Sequence, residues 1–321
     1  FFILVLALIH SSVGKPSEAL LSAVKGIDKG FLNRVIVPLT SVTFIFVFYV
    51  VNVPALRAST QLILALQASP GGPSVNLEHY KKTLSYRSFG DAEAREQLVQ
   101  ATSQAATAQG VDPKTRERFF DLAKLEIEKQ LDRTPEDARY FLFAGSLFSS
   151  FGDHDRAIKY FIKAHELSPK KQGILFSIGS SYLNKSDFEN AVKFTKQAYD
   201  LDPSYTEARR IYGLALVYSK ETNLAGEILK TLPLETVLGD QRFLQAFFVS
   251  GYFEQALASI NLMIEKDPRN VQHFFARASV YYRLGKNSAA IADLNKAVEI
   301  NPNAKEQVAK LIAEIKAGRA L

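Results

Sequence analysis

One sentence of residues is written twice between Tyr140 and Pro203. Phe141, Ala144, Gly145, Phe148, Ala157, Phe161, Ala164 and Pro169 are followed by Leu175, Ile178, Gly179, Tyr182, Ala191, Ala198 and Pro203. Gly145 and Gly179, Ala157 and Ala191, Ala164 and Ala198, and Pro169 and Pro203 each stand 34 residues apart. A fixed period of this length restricts the chain to a stack of like supersecondary units. One unit cannot bury its own apolar face, so neighbours are obligatory. The expected fold is all-α, an α-solenoid of helix hairpins, preceded by a transmembrane helix.

The array is expected over 137–304, with about five repeats. Residues 138–171 and 172–205 are the clearest copies, with Thr195 off-pattern in the second. Residues 206–236 are worn. Tyr212, Gly213 and Ala225 fit, the aromatic slips to Tyr218, and the unit is short. Residues 237–270 keep Phe247, Gly251, Ala256 and Pro268, with Leu244 where a small residue is expected. Residues 271–304 return to pattern with Phe274, Ala278, Tyr281, Gly285, Ala290, Ala297 and Pro302. This spacing resembles the tetratricopeptide repeat. Small residues let the two helices of a hairpin approach, large ones fill the gaps between hairpins, and each proline ends a second helix. A capping helix is expected over 305–321 to hide the last apolar face. Residues 57–136 read as a helical connector. Within it, Ala123 and Pro135 stand where a degenerate repeat would place them.

The N-terminal part differs in kind. Val35–Leu56 contains no charged residue. Its 22 positions reach about 33 Å as a helix, enough for the hydrocarbon core. A buried helix of a soluble domain is the alternative, but over this length such helices usually carry charge on some face. Residues 35–56 are therefore expected to span a membrane. Residues 1–12 read as a partial transmembrane helix whose beginning is missing, and 13–34 as a cytoplasmic linker. Lys15, Lys25, Lys29 and Arg34 precede the span, and only Arg57 follows closely. That asymmetry places the linker in the cytoplasm and the repeat array outside it, in an extracytoplasmic position at the cell membrane.

No constellation for catalysis is present. The chain has no cysteine, which removes disulfides, thiolate metal sites and cysteine nucleophiles. Its five histidines, His10, His79, His154, His165 and His273, have no metal-ligand spacing. Neither a metal nor a cofactor is expected. Net charge is +6 with no dense Lys/Arg run, so a nucleic-acid footprint is not expected either.

A solenoid offers a groove. In tetratricopeptide repeats one face of the first helix of each unit lines it. The resemblance puts Arg139, Ser146, Asn184, Arg210, Tyr218, Gln245, Phe248, Ser279, Tyr282 and Arg283 there, with Leu142, Phe176, Leu214 and Phe275 beside them. This lining suits a protein or peptide partner, or the faces of a glycan. Phe176 and Phe275 read equally well as packing between hairpins.

The first ninety residues carry a second resemblance. The membrane helix is followed by Asn52-Val-Pro-Ala-Leu-Arg-Ala-Ser-Thr, then by Leu77-x-x-Tyr-Lys-Lys-Thr-Leu-Ser-Tyr86-x-x-Phe89-Gly90, then by the repeats. This is similar to the C-terminal part of bacterial O-antigen ligase or polymerase-like membrane proteins, which transfer a glycan from a lipid-linked donor. Their catalytic Arg and His lie in a loop to which nothing in Phe1–Arg34 corresponds, so no catalytic residue is assigned. Two readings stay open. The chain is the membrane anchor and interaction tail of such a protein, or it is a stand-alone membrane-tethered scaffold for an envelope complex.

Overall fold

The computed structural model describes residues 28–319. The expected partial span over 1–12, most of the 13–34 linker and the end of the 305–321 cap lie outside the described residues. The chain divides into two compact units, 1–94 and 95–321. No strand occurs among the described residues.

In the first unit a helix begins at Lys29–Phe31, passes through a π turn at Leu32–Ile36, and continues as α1, Val37–Leu66. Pro38 falls in its first turn and Pro54 lies within it. The helical stretch Asn33–Leu66 has 34 residues and a mean hydropathy of 2.1 in its most apolar window, none of which is buried. It is long and apolar enough to cross a membrane. Three of its polar side chains turn back onto the helix. The Thr40 and Thr43 hydroxyls donate to the Ile36 and Leu39 carbonyls, and the Asn52 amide donates to Phe48 O at 2.8 Å. Such pairing satisfies a polar group where no water can serve it.

Ser69-Pro-Gly-Gly ends α1, with Gly72 at φ +75°, and α2 follows over Pro73–Ser85. The two helices form an antiparallel hairpin. The Asn76 amide donates to the carbonyls of Ala65 (2.6 Å) and Gln67 (2.7 Å), satisfying acceptors that the end of α1 leaves open. Further along, the His79 ring meets the Gln61 side chain at 2.8 Å. Next, α3 covers Asp91–Thr107. Asp91 sits inside its first turn, and its carboxylate accepts the Ser88 N–H at 3.0 Å.

The second unit contains the rest of α3, then α4 (Pro113–Arg133), whose N-cap Asp112 accepts the Thr115 N–H at 2.9 Å. Five hairpins follow. They are α5 (Ala138–Ser150) with α6 (His154–Leu167), and α7 (Gln172–Asn184) with α8 (Phe188–Leu201). The third is α9 (Thr206–Tyr218) with α10 (Thr222–Leu229). After a short inserted helix, α11 (Leu234–Leu238), come α12 (Gln241–Ser250) with α13 (Phe253–Lys266). Last are α14 (Val271–Arg283) with α15 (Asn287–Ile300), closed by α16 (Lys305–Lys316).

The backbone repeats as the sequence does. Each turn between paired helices holds one left-handed residue: Gly152, Ser186, Lys220, Gly251 and Gly285. Only the step from Lys220 to Gly251 departs from 34, at 31 residues. The shortening falls in α10, which has 8 residues where α6 and α8 have 14. Pro233 accounts for it, since a helix continued that far would set the proline ring against the carbonyl of Leu229.

Within a hairpin the contact is one motif repeated. A Cβ on Gly145 would stand 2.4 Å from the Phe161 ring, and one on Gly179 2.5 Å from Thr195 Cγ2. Thr195, off-pattern by sequence, is fully buried, and its hydroxyl donates to Ala191 O at 2.7 Å. In the last hairpin Arg277 takes a position that is Ala144 or Ile178 earlier. Its guanidinium meets both oxygens of buried Asp293 at 2.7 and 2.8 Å, and Asn261 at 2.8 Å.

Candidate binding groove

The first helices of the second, third and fourth hairpins stand side by side, and a cavity of about 310 Å³ opens between them. From α7 come Ser180, Leu183 and Asn184. From α9 come Ile211, Leu214 and Tyr218, and from α12 come Arg242, Gln245 and Val249. Ser186 and Phe188 complete the wall from the turn into α8. Helical spacing puts these groups on one face, because residues three and four apart share it.

The Phe188 and Tyr218 rings stack at 5.3 Å with 12° between their planes. Burial pushes the Tyr218 phenol up from its ordinary value, so it stays a neutral hydroxyl at physiological pH. Neither the Asn184 nor the Gln245 amide has a hydrogen-bond partner among the described residues. Each offers two donors and an acceptor toward the cavity. Val249 is 59% exposed at its wall.

Arg242 brings a guanidinium that is already engaged. Asp240 holds it with bonds of 2.8 and 3.2 Å. Burial pushes the Asp240 carboxyl up, but hydrogen bonds from Arg242 and the charges of Arg242 and Arg210 outweigh this and hold it below the usual carboxylate range. The cavity is therefore close to neutral, with uncharged hydrogen-bonding groups beside an aromatic platform.

Of the ten expected groove residues, the structure gathers Asn184, Tyr218 and Gln245 at this cavity. Arg210 is held by two carboxylates, Glu207 at 2.9 Å and Asp240. Arg139 pairs with Glu96 at 3.1 Å and donates to the Tyr140 hydroxyl at 2.9 Å. Phe248 meets Phe253 edge-on at 5.8 Å, and the Arg283 guanidinium lies 5.9 Å from its ring. The Tyr282 hydroxyl donates to Arg319 O at 2.8 Å, and Ser279 bonds back to Phe275 O within α14. Ser146 is half-buried on α5. Phe176 stacks on Tyr205 at 6.2 Å, Leu142 packs against the Phe148 cluster and Phe275 against the cluster of Ala278 and Leu294.

Sequence reasoning passed over Ser180, Arg242 and Val249. Ser180 could have been found, since it stands 34 residues after Ser146 and 34 before Leu214. Val249 could have been found too, since it stands 34 residues before Arg283, whereas Arg242 stands 34 before Ala276, at a repeat position that the resemblance does not place in the groove.

Family models of the tetratricopeptide repeat match residues 138–171, 173–205 and 243–305. These segments are tetratricopeptide repeats. The span 206–242, which the models leave out, contains the short α10 and the inserted α11. A solved tetratricopeptide repeat protein from Parabacteroides merdae is 14% identical, with a TM-score of 0.55 over 81% of this chain and 99% of its own. That likeness establishes a shared fold. PilF of Pseudomonas aeruginosa is 15% identical with a TM-score of 0.45, covering 72% of this chain and 100% of its own. No curated protein matches the chain.

Proposed function

We propose that this chain is a membrane-anchored interaction module that holds an extended segment of a partner protein against its repeat array, seated at the cavity between α7, α9 and α12. The observation that carries this reading is the convergence there of the unpartnered Asn184 and Gln245 amides and the Tyr218 ring from three successive hairpins. Side-chain amides can donate to and accept from one peptide unit, and an aromatic ring covers the apolar side chain beside it. The remaining expected groove residues, Arg139, Ser146, Arg210, Phe248, Ser279, Tyr282 and Arg283, would flank that seat. Arg139 and Arg210 act there as neutralised ion pairs, which orient rather than attract.

Panning a phage-displayed peptide library against the full chain in lipid nanodiscs tests this. Enriched peptides should lose about tenfold or more in affinity for the Tyr218→Ala, Gln245→Ala double variant with helicity unchanged. Equal affinity would move the binding face elsewhere.

The finer reading is that this module is the tail of an O-antigen ligase-like glycan-transfer protein of the bacterial cell envelope, with its array extracytoplasmic and a glycan among its partners. Its support is the sequence resemblance of residues 1–90 and the Lys/Arg asymmetry around the span. A stop codon or an initiating Met immediately upstream of Phe1 in the reading frame would sink it. It would then yield to a stand-alone envelope scaffold.

A further inference from the structure

Phe89 is the most exposed large apolar side chain among the described residues, at 79%. One exposed phenylalanine is ordinary by itself, so a role for this one has to come from its setting. Its neighbours supply that setting. Lys82 on α2 and Arg87 in the loop are exposed, as is Lys81, whose ammonium pairs with the Glu78 carboxylate at 3.0 Å. Arg87 takes a left-handed conformation, φ +49°, which is uncommon for a residue with a side chain. The Ser88 N–H is tied to the Asp91 carboxylate at 3.0 Å, so the loop is held in shape on both sides of the exposed ring.

The hairpin register fixes where this loop lies along α1. Asn76 meets Ala65 and Gln67, and His79 meets Gln61, so α2 runs back down α1 residue for residue. The same register brings Ser85, the last residue of α2, level with Leu56. Leu56 ends the charge-free stretch that begins at Val35, and Arg57 follows it. The loop 86–90 therefore returns to the depth at which the apolar span of α1 gives way to polar sequence. An aromatic ring flanked by cations at that depth has the composition of a membrane interface, where rings sit at headgroup level and Lys/Arg meet lipid phosphates.

We propose that the loop 86–90 is a second membrane contact: Phe89 inserts at the headgroup boundary of the bilayer that α1 crosses, and Lys81, Lys82 and Arg87 bind anionic lipid headgroups around it. This rests on the reading of α1 as a membrane anchor. A single spanning helix leaves a protein free to tilt and rotate about it. A docked loop beside the helix would fix the angle at which α1 leaves the bilayer.

The chain contains no tryptophan, so Phe89→Trp makes a unique reporter. The full-length variant is reconstituted into phosphatidylcholine vesicles, with and without phosphatidylglycerol. Brominated lipids and acrylamide serve as quenchers. Expected are a blue-shifted emission, protection from acrylamide, and quenching by lipids brominated near the glycerol end of the acyl chain. Adding Lys81→Glu, Lys82→Glu and Arg87→Glu should remove the extra blue shift that phosphatidylglycerol gives. Water-like emission, quenched by acrylamide, from a chain that resists alkaline carbonate extraction would overturn the loop contact and leave the anchor standing. Extraction of the chain by carbonate would overturn the anchor, and the loop contact with it. Lipid quenching that is the same with and without phosphatidylglycerol would overturn the electrostatic part. A circular dichroism spectrum matching the parent's excludes misfolding, since the ring replaced is exposed.

Discussion

At the scale of the residue, the fold rests on close contacts that tolerate little. Gly179 faces Thr195 Cγ2, which a Cβ would approach to 2.5 Å, with the Ala191 carbonyl and the Thr195 N–H behind it at 3.6 Å. Thr195 cannot swing away, because it is buried and hydrogen-bonded to its own helix. Gly179→Leu should therefore force the hairpin apart, at a cost of about 3 kcal/mol, toward the upper end of overpacking. A thermal melt that the substitution leaves unmoved would show that no close approach exists there. Arg277 shows another way to fill an apolar position. It is tolerated because Asp293 and Asn261 satisfy it, which a reading by hydrophobic pattern does not anticipate.

At the scale of the element, the second helices of the first two hairpins start where an aspartate caps them. Asp153 accepts the Arg156 N–H at 2.9 Å to start α6, and Asp187 accepts the Asn190 N–H at 3.2 Å to start α8. The Arg156 N–H holds the Asp153 carboxyl below its ordinary value; burial opposes this, and the Arg156 side chain adds to it. A carboxyl depressed by folding stabilises the native state at pH values above its unfolded pKa. That contribution is lost as pH falls through the lower, folded value. Asp153→Asn keeps an oxygen at the cap without the charge. The melting advantage of the parent over this variant should thus be present at neutral pH and fade below about pH 4. An advantage constant from neutral to strongly acid pH would assign the cap no ionic part. The later hairpins lack such caps. Glu221, Tyr252 and Lys286 stand at the N-cap of α10, α13 and α15 without a side-chain hydrogen bond to the first N–H groups of the helix.

At the scale of the whole molecule, stability in a repeat array is a sum of units and the interfaces between neighbours, and local opening follows the weakest of these. The weakest stretch here is 222–238. There an 8-residue second helix and a 5-residue inserted helix replace one full helix. Amide hydrogen exchange in the full chain should be fastest, within the array, over that stretch. It should be slowest in α5–α8, where cap, close contact and period agree. Equal protection across all hairpins would refute the ranking. The cavity between α7, α9 and α12 adjoins this stretch in sequence, so an occupant there would tie the third hairpin to the fourth.

Much of this protein is determined by sequence alone, because periodicity is a local property. A small residue, an aromatic and a proline at fixed intervals specify a helix hairpin wherever they occur. Accordingly the hairpins, the pattern glycines Gly251 and Gly285 that form two of their turns, and the apolar span of α1 were legible from the sequence. Tertiary structure alone decided what each polar group does. Arg210 and Tyr218 carry the same repeat-position logic, yet Arg210 is consumed by Glu207 and Asp240, while Tyr218 joins Asn184 and Gln245 at an open cavity. Asp240 and Gln245 reach their places only because Pro233 cuts α10 short and α11 resets the chain. Which charges are neutralised and which amides stay free depends on residues brought together from distant positions. No fixed interval in the sequence records that meeting.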